Sequence, residues 1–172
     1  TDLEFMNHTI EWLYRNEQKL PEYFMHLRPT SPIRCAEVVE DAVKRIYGDN
    51  QATSLRSAHL SIHTPYKWLC LRSDGYFRSF IKEMSVDQAN NPRQDFEAVY
   101  IPDGYVDILK TKFILDNKLL HGERAIGFIV PDTIDIDTIE DIERIEYYME
   151  KNQDPLLDYL QKRYKTLDEL DF

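Results

Sequence analysis

Runs of apolar and polar positions divide the first third of the chain into alternating helices and strands. Apolar residues recur at helical spacing over residues 3 to 18, after a predicted cap at Asp2, and again from Ala36 to Ile46. A short apolar run at Tyr23 to Leu27 predicts a buried strand before the second helix, and the segment Thr53 to Ile62 is a predicted strand after it. A strand, a helix and a strand in this order favour a right-handed parallel crossover, and therefore a layered α/β fold.

The middle of the chain carries a different pattern. Aromatic and aliphatic residues from Thr64 to about Ile108 surround the turn Ser73-Asp74-Gly75, which predicts a hairpin-like excursion. Two interpretations stay open for residues 64–102. The hairpin is either an antiparallel edge that covers its own core or an arm that pairs with a second subunit, because interfaces favour aromatic side chains.

The remaining part of the chain predicts a strand and two helices. Ala125 to Val130 is an apolar run suited to a strand. Thr138 and Asp141 have the spacing of a capping box at the start of the next helix. A last amphipathic helix is predicted from about Asp154 to Leu170, with Leu157, Leu160, Tyr164 and Leu167 on one face.

Composition narrows the class of protein. A chain of 172 residues predicts a single domain over 1–172. The net charge of -10 argues against a nucleic-acid partner, because phosphate binding needs a basic surface. The two isolated cysteines, Cys35 and Cys70, are typical of reduced thiols, and no apolar run is long enough to cross a membrane. The expected location is therefore the cytoplasm.

The strongest candidates for metal-binding residues are two carboxylates before the second-to-last predicted helix. In the run Ile134 to Thr138, Asp135 and Asp137 are separated by one residue, so on an extended segment they project to the same side. Magnesium is commonly held by one or two carboxylates together with substrate phosphates. The alternative is that both acids only stabilise the positive end of the following helix. His59 and His63 are four residues apart, but in a strand-like stretch, and the other three histidines are scattered, so a histidine metal site is not expected.

Two basic segments complete the candidate site. The loop with Arg28, Thr30, Ser31 and Arg34 follows a predicted strand and precedes a helix, where ligands bind in open α/β sheets. It is otherwise a proline-stiffened turn. Arg93 with Gln94 offers a fork for a substrate carboxylate, unless a structural ion pair occupies the arginine.

Three segments in this order and spacing resemble the acylneuraminate cytidylyltransferases, the CMP-sialic acid synthetases. The resembling segments are His26 to Arg34, Arg93-Gln94 ahead of Tyr100 to Tyr105, and Ile134 to Thr138. The resemblance implies a Rossmann-like three-layer nucleotidyltransferase fold with a mainly parallel sheet and a protruding dimerisation arm. It also implies CTP and a nonulosonic sugar acid as substrates, Mg²⁺ as cofactor, pyrophosphate as product and a homodimer.

Residue roles follow from the same resemblance. Asp135 and Asp137 would hold magnesium and act in catalysis, and Arg93 would face the sugar carboxylate. The other implied substrate-binding residues are Arg28, Thr30, Ser31, Arg34, Gln94, Asp103 and Tyr105.

The chain departs from the family pattern in three places. The glycine- and basic-rich phosphate loop at the family's amino terminus has no counterpart, so this chain alone is expected to be inactive. Arg28 replaces the usual glutamine and Asp103 replaces the usual asparagine, which leaves the sugar and the base open. The alternatives are a sugar nucleotidyltransferase with another base or a sugar-phosphate acceptor, and an inactive family member that serves as a binding subunit.

Overall fold

A computed structural model describes residues 1–131, 133–152, 158–159 and 162–163. Its helices are α1 (Asp2–Glu17), α2 (Ala36–Tyr47), α3 (Thr111–Asn117) and α4 (Ile139–Asn152). Its strands are β1 (Tyr23–His26), β2 (Ser54–Leu60), β3 (Leu69–Leu71), β4 (Phe77–Ser79), β5 (Tyr100–Lys110) and β6 (Ala125–Ile129). The predicted helix from about Asp154 to Leu170, with its apolar face, lies almost entirely outside the described residues.

Four strands form the main sheet in the order β1-β5-β2-β6. Strands β2 and β6 pair in parallel, whereas β5 is antiparallel to both β1 and β2. Strands β1, β2 and β6 therefore run in the same direction. The predicted crossover from β1 through α2 to β2 is parallel, but β5, which the sequence pattern did not predict as a strand, lies between them.

Neighbouring residues of β5 face opposite layers. Ile108 packs with Leu55 of β2 and Ile46 of α2 in one core cluster. Leu109 packs with Met6 of α1 and Ile114 of α3 in the other. Because successive strand residues point to opposite faces, α2 covers one face of the sheet, and α1 with α3 covers the other. The three-layer α/β prediction is confirmed.

Helix starts agree with the sequence at one end of the chain and differ at the other. The predicted capping box is present at α4, where the Thr138 hydroxyl donates to Asp141 Oδ2 at 2.9 Å and accepts from the Asp141 amide at 3.3 Å. The prediction of Asp2 as the cap of α1 was wrong. Thr1 is the cap and forms a capping box with Glu4. The Thr1 hydroxyl accepts a hydrogen bond from the Glu4 amide, whereas Asp2 is already the first residue of the helix.

The predicted hairpin is confirmed as a separate two-stranded sheet of β3 and β4. Its turn is closed by the Gly75 amide, which donates to the Arg72 carbonyl at 3.0 Å, and Gly75 has a φ of 86° that favours glycine. The large side chains of Leu71, Tyr76 and Phe77 are exposed by 59 to 72%. The hairpin therefore presents an apolar surface to solvent.

Within the described part of the chain, no helix combines the length and the apolar character that a membrane crossing requires.

Candidate functional site

The candidate residues collect at one edge of the sheet because of its topology. Strands β1, β2 and β6 all end at this edge, and the antiparallel strand β5 begins there. The loop 28–34 follows β1, residues 61–64 follow β2, and residues 130–138 follow β6. In open α/β sheets the carboxyl edge of parallel strands is where ligands bind. The topology thus places the predicted segments on the expected edge.

Arg34 fastens the loop 28–34 to the start of β5. Its Nε donates to the carbonyl of Tyr105 at 2.6 Å, and its Nη2 donates to the carbonyls of Arg28 at 2.6 Å and Gly104 at 2.7 Å. Burial lowers the pKa of Arg34 from its usual value, although Tyr105 and nearby carboxylates oppose the shift. Arg34, predicted to bind substrate, directs three donors into the protein and shapes the loop.

Tyr105 connects the same strand to α2. Its hydroxyl oxygen accepts a hydrogen bond from the amide of Cys35, the residue that precedes the helix. Cys35 makes no side-chain cap, so the phenol satisfies one of the free amides at this helix start. Burial raises the pKa of Tyr105 above its usual value. Tyr105, another predicted substrate-binding residue, is 5% exposed and acts as a helix cap.

Gly104 allows the loop and strand to approach closely. A Cβ at this position would lie 2.5 Å from Ser31 Oγ and 2.8 Å from Arg28 Cδ. Contacts that short are forbidden between real side chains. The backbone amide of Arg28 also donates to the Gly104 carbonyl at 3.4 Å. Only glycine leaves room for the loop in this position.

The acidic segment joins the loop through two hydrogen bonds. Ser31, which is fully buried, donates its hydroxyl to Asp135 Oδ1 at 3.2 Å. The amide of Ile136 donates to the Thr30 carbonyl at 2.8 Å. Asp135 and Asp137 are exposed, whereas Ile134 and Ile136 are half-buried. This alternation leaves both aspartates on the exposed side of the segment.

The donor set fits magnesium only in company with a substrate. Among the described residues, no group of three or more histidine, cysteine, aspartate or glutamate side chains is arranged to hold a metal ion. Asp135 and Asp137 supply carboxylate oxygens, the hard ligands that Mg²⁺ prefers, and Mg²⁺ keeps waters and phosphate oxygens in its remaining positions. The pair therefore supplies carboxylate ligands of the right kind and leaves the other positions of such a metal to groups outside the described residues.

Asp103 faces inward, and two of its partners were not singled out in the sequence. Its Oδ1 accepts hydrogen bonds from the Ser57 hydroxyl and, at 3.1 Å, from the Tyr105 amide. Its Oδ2 lies 3.3 Å from His59 Nδ1. The side chain is 4% exposed. Ser57 and His59 occupy alternate positions of β2, and polar residues with this spacing on a strand are the signal that points to a buried polar network.

Arg93 and Gln94 lie apart from the loop, beside the end of β2. They line a pocket of about 300 Å³ together with Leu60, Ser61, Thr64, Phe96, Glu97, Ala98 and Val99. Arg93 Nη2 donates to the carbonyl of Ser61 at 2.6 Å, which leaves other guanidinium donors for a ligand. Phe96 lines the pocket, and its ring stacks on Tyr66 with centroids 5.2 Å apart, which fixes the position of this aromatic side chain.

The structure therefore divides the predicted site into two parts. One part joins the loop, the start of β5 and the acidic segment by direct hydrogen bonds, and its members are Arg28, Thr30, Ser31, Arg34, Asp103, Tyr105 and Asp135. The other part is the Arg93 pocket. Arg28 itself pairs with Asp2 at 2.6 Å on the α1 side of the sheet.

Comparison with solved structures defines the class of fold as that of the nucleotidyltransferases, which confirms the predicted fold. The chain is similar to a CMP:2-keto-3-deoxy-manno-octonic acid synthetase complexed with CTP, with a TM-score of 0.54 and 12% identity over 85% of this chain and 68% of the other. It is also similar to a 4-diphosphocytidyl-2C-methyl-D-erythritol synthase from Anaerococcus prevotii DSM 20548, with a TM-score of 0.51 and 15% identity over 80% of this chain and 64% of the other.

These similarities lie in the three-dimensional structure and not in the amino-acid sequence. No family model matches the chain. No curated protein matches it in sequence. The chain spans about two thirds of the length of the two solved structures. At 12 and 15% identity the likeness establishes the fold and leaves the chemistry to the site.

Proposed function

We propose that the chain belongs to a cytidylyltransferase that activates a nonulosonic sugar acid with CTP. The observation that carries the proposal is the bonded arrangement of the loop 28–34 with Asp135 at the carboxyl edge of a nucleotidyltransferase sheet. One of the similar structures is a CMP:2-keto-3-deoxy-manno-octonic acid synthetase complexed with CTP. The products are the CMP-sugar and pyrophosphate.

The proposed reaction needs charge neutralisation more than a protein nucleophile. The anomeric hydroxyl oxygen of the sugar bonds to the α-phosphorus of CTP, the bond from that phosphorus to the bridging oxygen breaks, and pyrophosphate leaves as the hydroxyl proton is released. Magnesium, when bound, would neutralise charge on the triphosphate. Asp135 and Asp137 are the residues that would hold it, and Ser31 orients Asp135.

The Arg93 pocket is the proposed binding site of the sugar acid. It lies at the same sheet edge, and Arg93 with Gln94 gives it donors for a carboxylate. The Thr64 hydroxyl accepts from the Tyr66 amide and keeps its own proton for a sugar oxygen, whereas the Ser61 hydroxyl is engaged with His63. A pocket of this volume is at the lower end of the range for small-molecule sites.

The β3–β4 hairpin is the proposed contact with a second copy of the chain. Leu71, Tyr76 and Phe77 expose apolar area that a partner would remove from water. Sedimentation equilibrium would show a dimer in the wild type, and Leu71→Ser with Phe77→Ser would shift it towards monomer. Ile139→Ser is the matched control, because Ile139 is 74% exposed on a different element. A monomeric wild type would contradict this part of the proposal.

The activity is tested with the full-length protein, CTP, Mg²⁺ and a panel of sugar acids, by pyrophosphate release and detection of the CMP-sugar. Asp137→Asn should lower kcat roughly 100-fold or more, because a charge that neutralises the triphosphate is lost. Asp116→Asn should leave kcat unchanged, since Asp116 only pairs with Lys112 on the surface of α3. Arg93→Lys should raise KM for the sugar acid and spare KM for CTP.

A second candidate is cytidylyl transfer to a phosphorylated polyol. The observation in its favour is the second structural neighbour, whose TM-score is close to that of the first. Including 2C-methyl-D-erythritol 4-phosphate among the acceptors separates the two. Turnover with that compound alone would replace the sugar-acid proposal, and nucleotide binding without any turnover would favour a binding subunit. In each case we expect the protein to act in the cytoplasm without nucleic acid.

A further inference from the structure

A row of charged and imidazole side chains crosses the sheet on the face that α1 covers. Asp107 lies opposite His26 on β1 and opposite Arg56 on β2. Leu109, two residues further along β5, packs against α1, so Asp107 shares that face. Because β5 is the strand between β1 and β2, Asp107 lies in the middle of this row.

Asp107 is buried without close partners. It is 3% exposed, its Oδ1 lies 3.8 Å from Arg56 Nε, and its Oδ2 lies 4.0 Å from Arg28 Nη2. Asp107 Oδ1 and Arg56 Nε are both buried and make no hydrogen bond. Two guanidinium groups therefore hold the carboxylate by charge at a distance, which is a weaker constraint than direct hydrogen bonds.

His26 in the row, and His121, whose Nδ1 lies 3.1 Å from Ser54 Oγ of β2, do not compensate the charge of Asp107. Burial lowers the pKa of His26, and Arg28 lowers it further. Burial, Arg56 and Arg28 lower the pKa of His121 in the same way. Both imidazoles are thus biased towards the neutral form.

The charges of Arg28 and Arg56 are balanced by nearby carboxylates. Asp2 of α1 binds Arg28 at 2.6 Å, and Asp103 on the same strand acts on Asp107 by repulsion. With Asp107 ionised, Arg28 and Arg56 face two carboxylates, Asp2 and Asp107. With Asp107 protonated, Arg28 keeps Asp2, and Arg56 loses the carboxylate that lies 3.8 Å from its Nε.

Arg28 transmits any change to the loop 28–34. Its carbonyl accepts from the Ser31 amide at 3.2 Å and from Arg34 Nη2 at 2.6 Å. Its amide donates to Gly104. Ser31 in turn binds Asp135. A contiguous set of hydrogen bonds therefore runs from the neighbour of Asp107 to the acidic pair.

We propose that Asp107 is a positioning residue for the loop 28–34, and that its ionisation sets how well the loop presents Ser31 to Asp135. The ionised carboxylate draws Arg28 towards the sheet, and the neutral acid leaves Arg28 to Asp2. Burial raises the pKa of Asp107 to about 6, against the attraction of Arg56 and Arg28. The change therefore falls in mildly acidic conditions. The effect on turnover rests on the proposed function, whereas the effect on the loop does not.

The structural part is tested by NMR titration of the intact chain. In the wild type, the Asp107 carboxyl carbon, the Arg28 Nε–Hε signal and the Ser31 amide should shift together with a midpoint near pH 6. Asp107→Asn should remove that midpoint from the Arg28 and Ser31 signals, and Asp116→Asn should retain it. Loop signals that do not shift, or that shift unchanged in Asp107→Asn, overturn the proposal. If Asp107→Asn does not fold, the shared midpoint in the wild type decides.

The functional part compares pH profiles. Between pH 7.5 and 5.5, kcat/KM for CTP should fall about fourfold in the wild type through loss of the ionised form of a group with a pKa of about 6. The Asp107→Asn protein should have lower activity without this step. If kcat/KM falls in the same way between pH 7.5 and 5.5 in both proteins, the inference is overturned and the proposed function stays intact. Absence of turnover contradicts the proposed function, and the NMR titration then tests the inference alone.

Discussion

Ser31 donates its hydroxyl to Asp135 across 104 residues of sequence, at 3.2 Å. The serine is fully buried and the aspartate is exposed, so a fixed group of the loop orients a carboxylate that faces solvent. A ligand-binding side chain is held most precisely when a buried partner fixes its rotamer. This bond connects the scaffold of the sheet edge to its candidate chemistry.

Removing the Ser31 hydroxyl should affect catalysis more than folding. We expect Ser31→Ala to lower the free energy of unfolding by about 1 kcal/mol, the usual net value of one hydrogen bond. The apparent affinity for Mg²⁺ with CTP should fall roughly tenfold, because a residue that orients a metal ligand is lost. Urea denaturation and magnesium-dependent pyrophosphate release measure the two effects. Ser73→Ala in the exposed hairpin turn is the control, and an equal loss in both variants would contradict the prediction.

Gly104→Ala tests the close approach of loop and strand. The new methyl group would meet Ser31 Oγ at 2.5 Å, and the loop must move to relieve the contact. We expect a destabilisation of about 1–3 kcal/mol, as for other insertions into packed regions, measured by urea denaturation. Gly127→Ala is a matched control in β6, because a Cβ there has no neighbour within 4 Å. Equal stability of the two variants would show that the loop is not held against Gly104.

Arg34→Lys tests whether the guanidinium fork is the feature that closes the loop. One ammonium group cannot reproduce the fixed geometry that serves the carbonyls of Arg28, Gly104 and Tyr105. We expect the unfolding free energy to fall by about 2–3 kcal/mol, the sum of the hydrogen bonds lost. Arg15→Lys, on the exposed face of α1, should change it by less than about 0.5 kcal/mol. A tolerated Arg34→Lys would assign the loop's stability to its prolines.

Much of the fold was predictable because the local spacing of apolar residues indicates its helices and strands. Helices α1 and α2 and strands β2 and β6 follow their apolar spacing to within a few residues. Strand β5 was not predicted, because Pro102, Asp103 and Gly104 all disfavour strands. The register of β5 against β2 shifts between Arg56 and Ala58, and such a bulge accommodates irregular residues. Its central place depends on long-range pairing that no local pattern records.

The candidate site was predictable in its segments but not in its contacts. The spacing of Asp135 and Asp137 indicates two carboxylates on one side, and the structure shows both exposed. An arginine in a sequence gives no sign of where its donors point, so the inward role of Arg34 was not predictable. The partners of Asp107 come from strands that are adjacent only after folding. Contacts of this kind depend on the pairing of β5.

The pH dependence of stability offers a separate test of how Asp107 is buried. Its pKa in the folded protein is about 6, against an ordinary value of 3.8, so the folded state binds the proton more tightly than the unfolded state does. The contribution of Asp107 to stability is therefore fully present below about pH 4 and is lost as the pH rises through about 6. Relative to Asp107→Asn, the wild type should gain about 2.5 kcal/mol of unfolding free energy between pH 7 and pH 4, which is most of what a rise of about two pKa units implies. Urea denaturation of both proteins across this range measures the difference, and a difference that stays constant with pH would show that Asp107 titrates as an ordinary exposed acid.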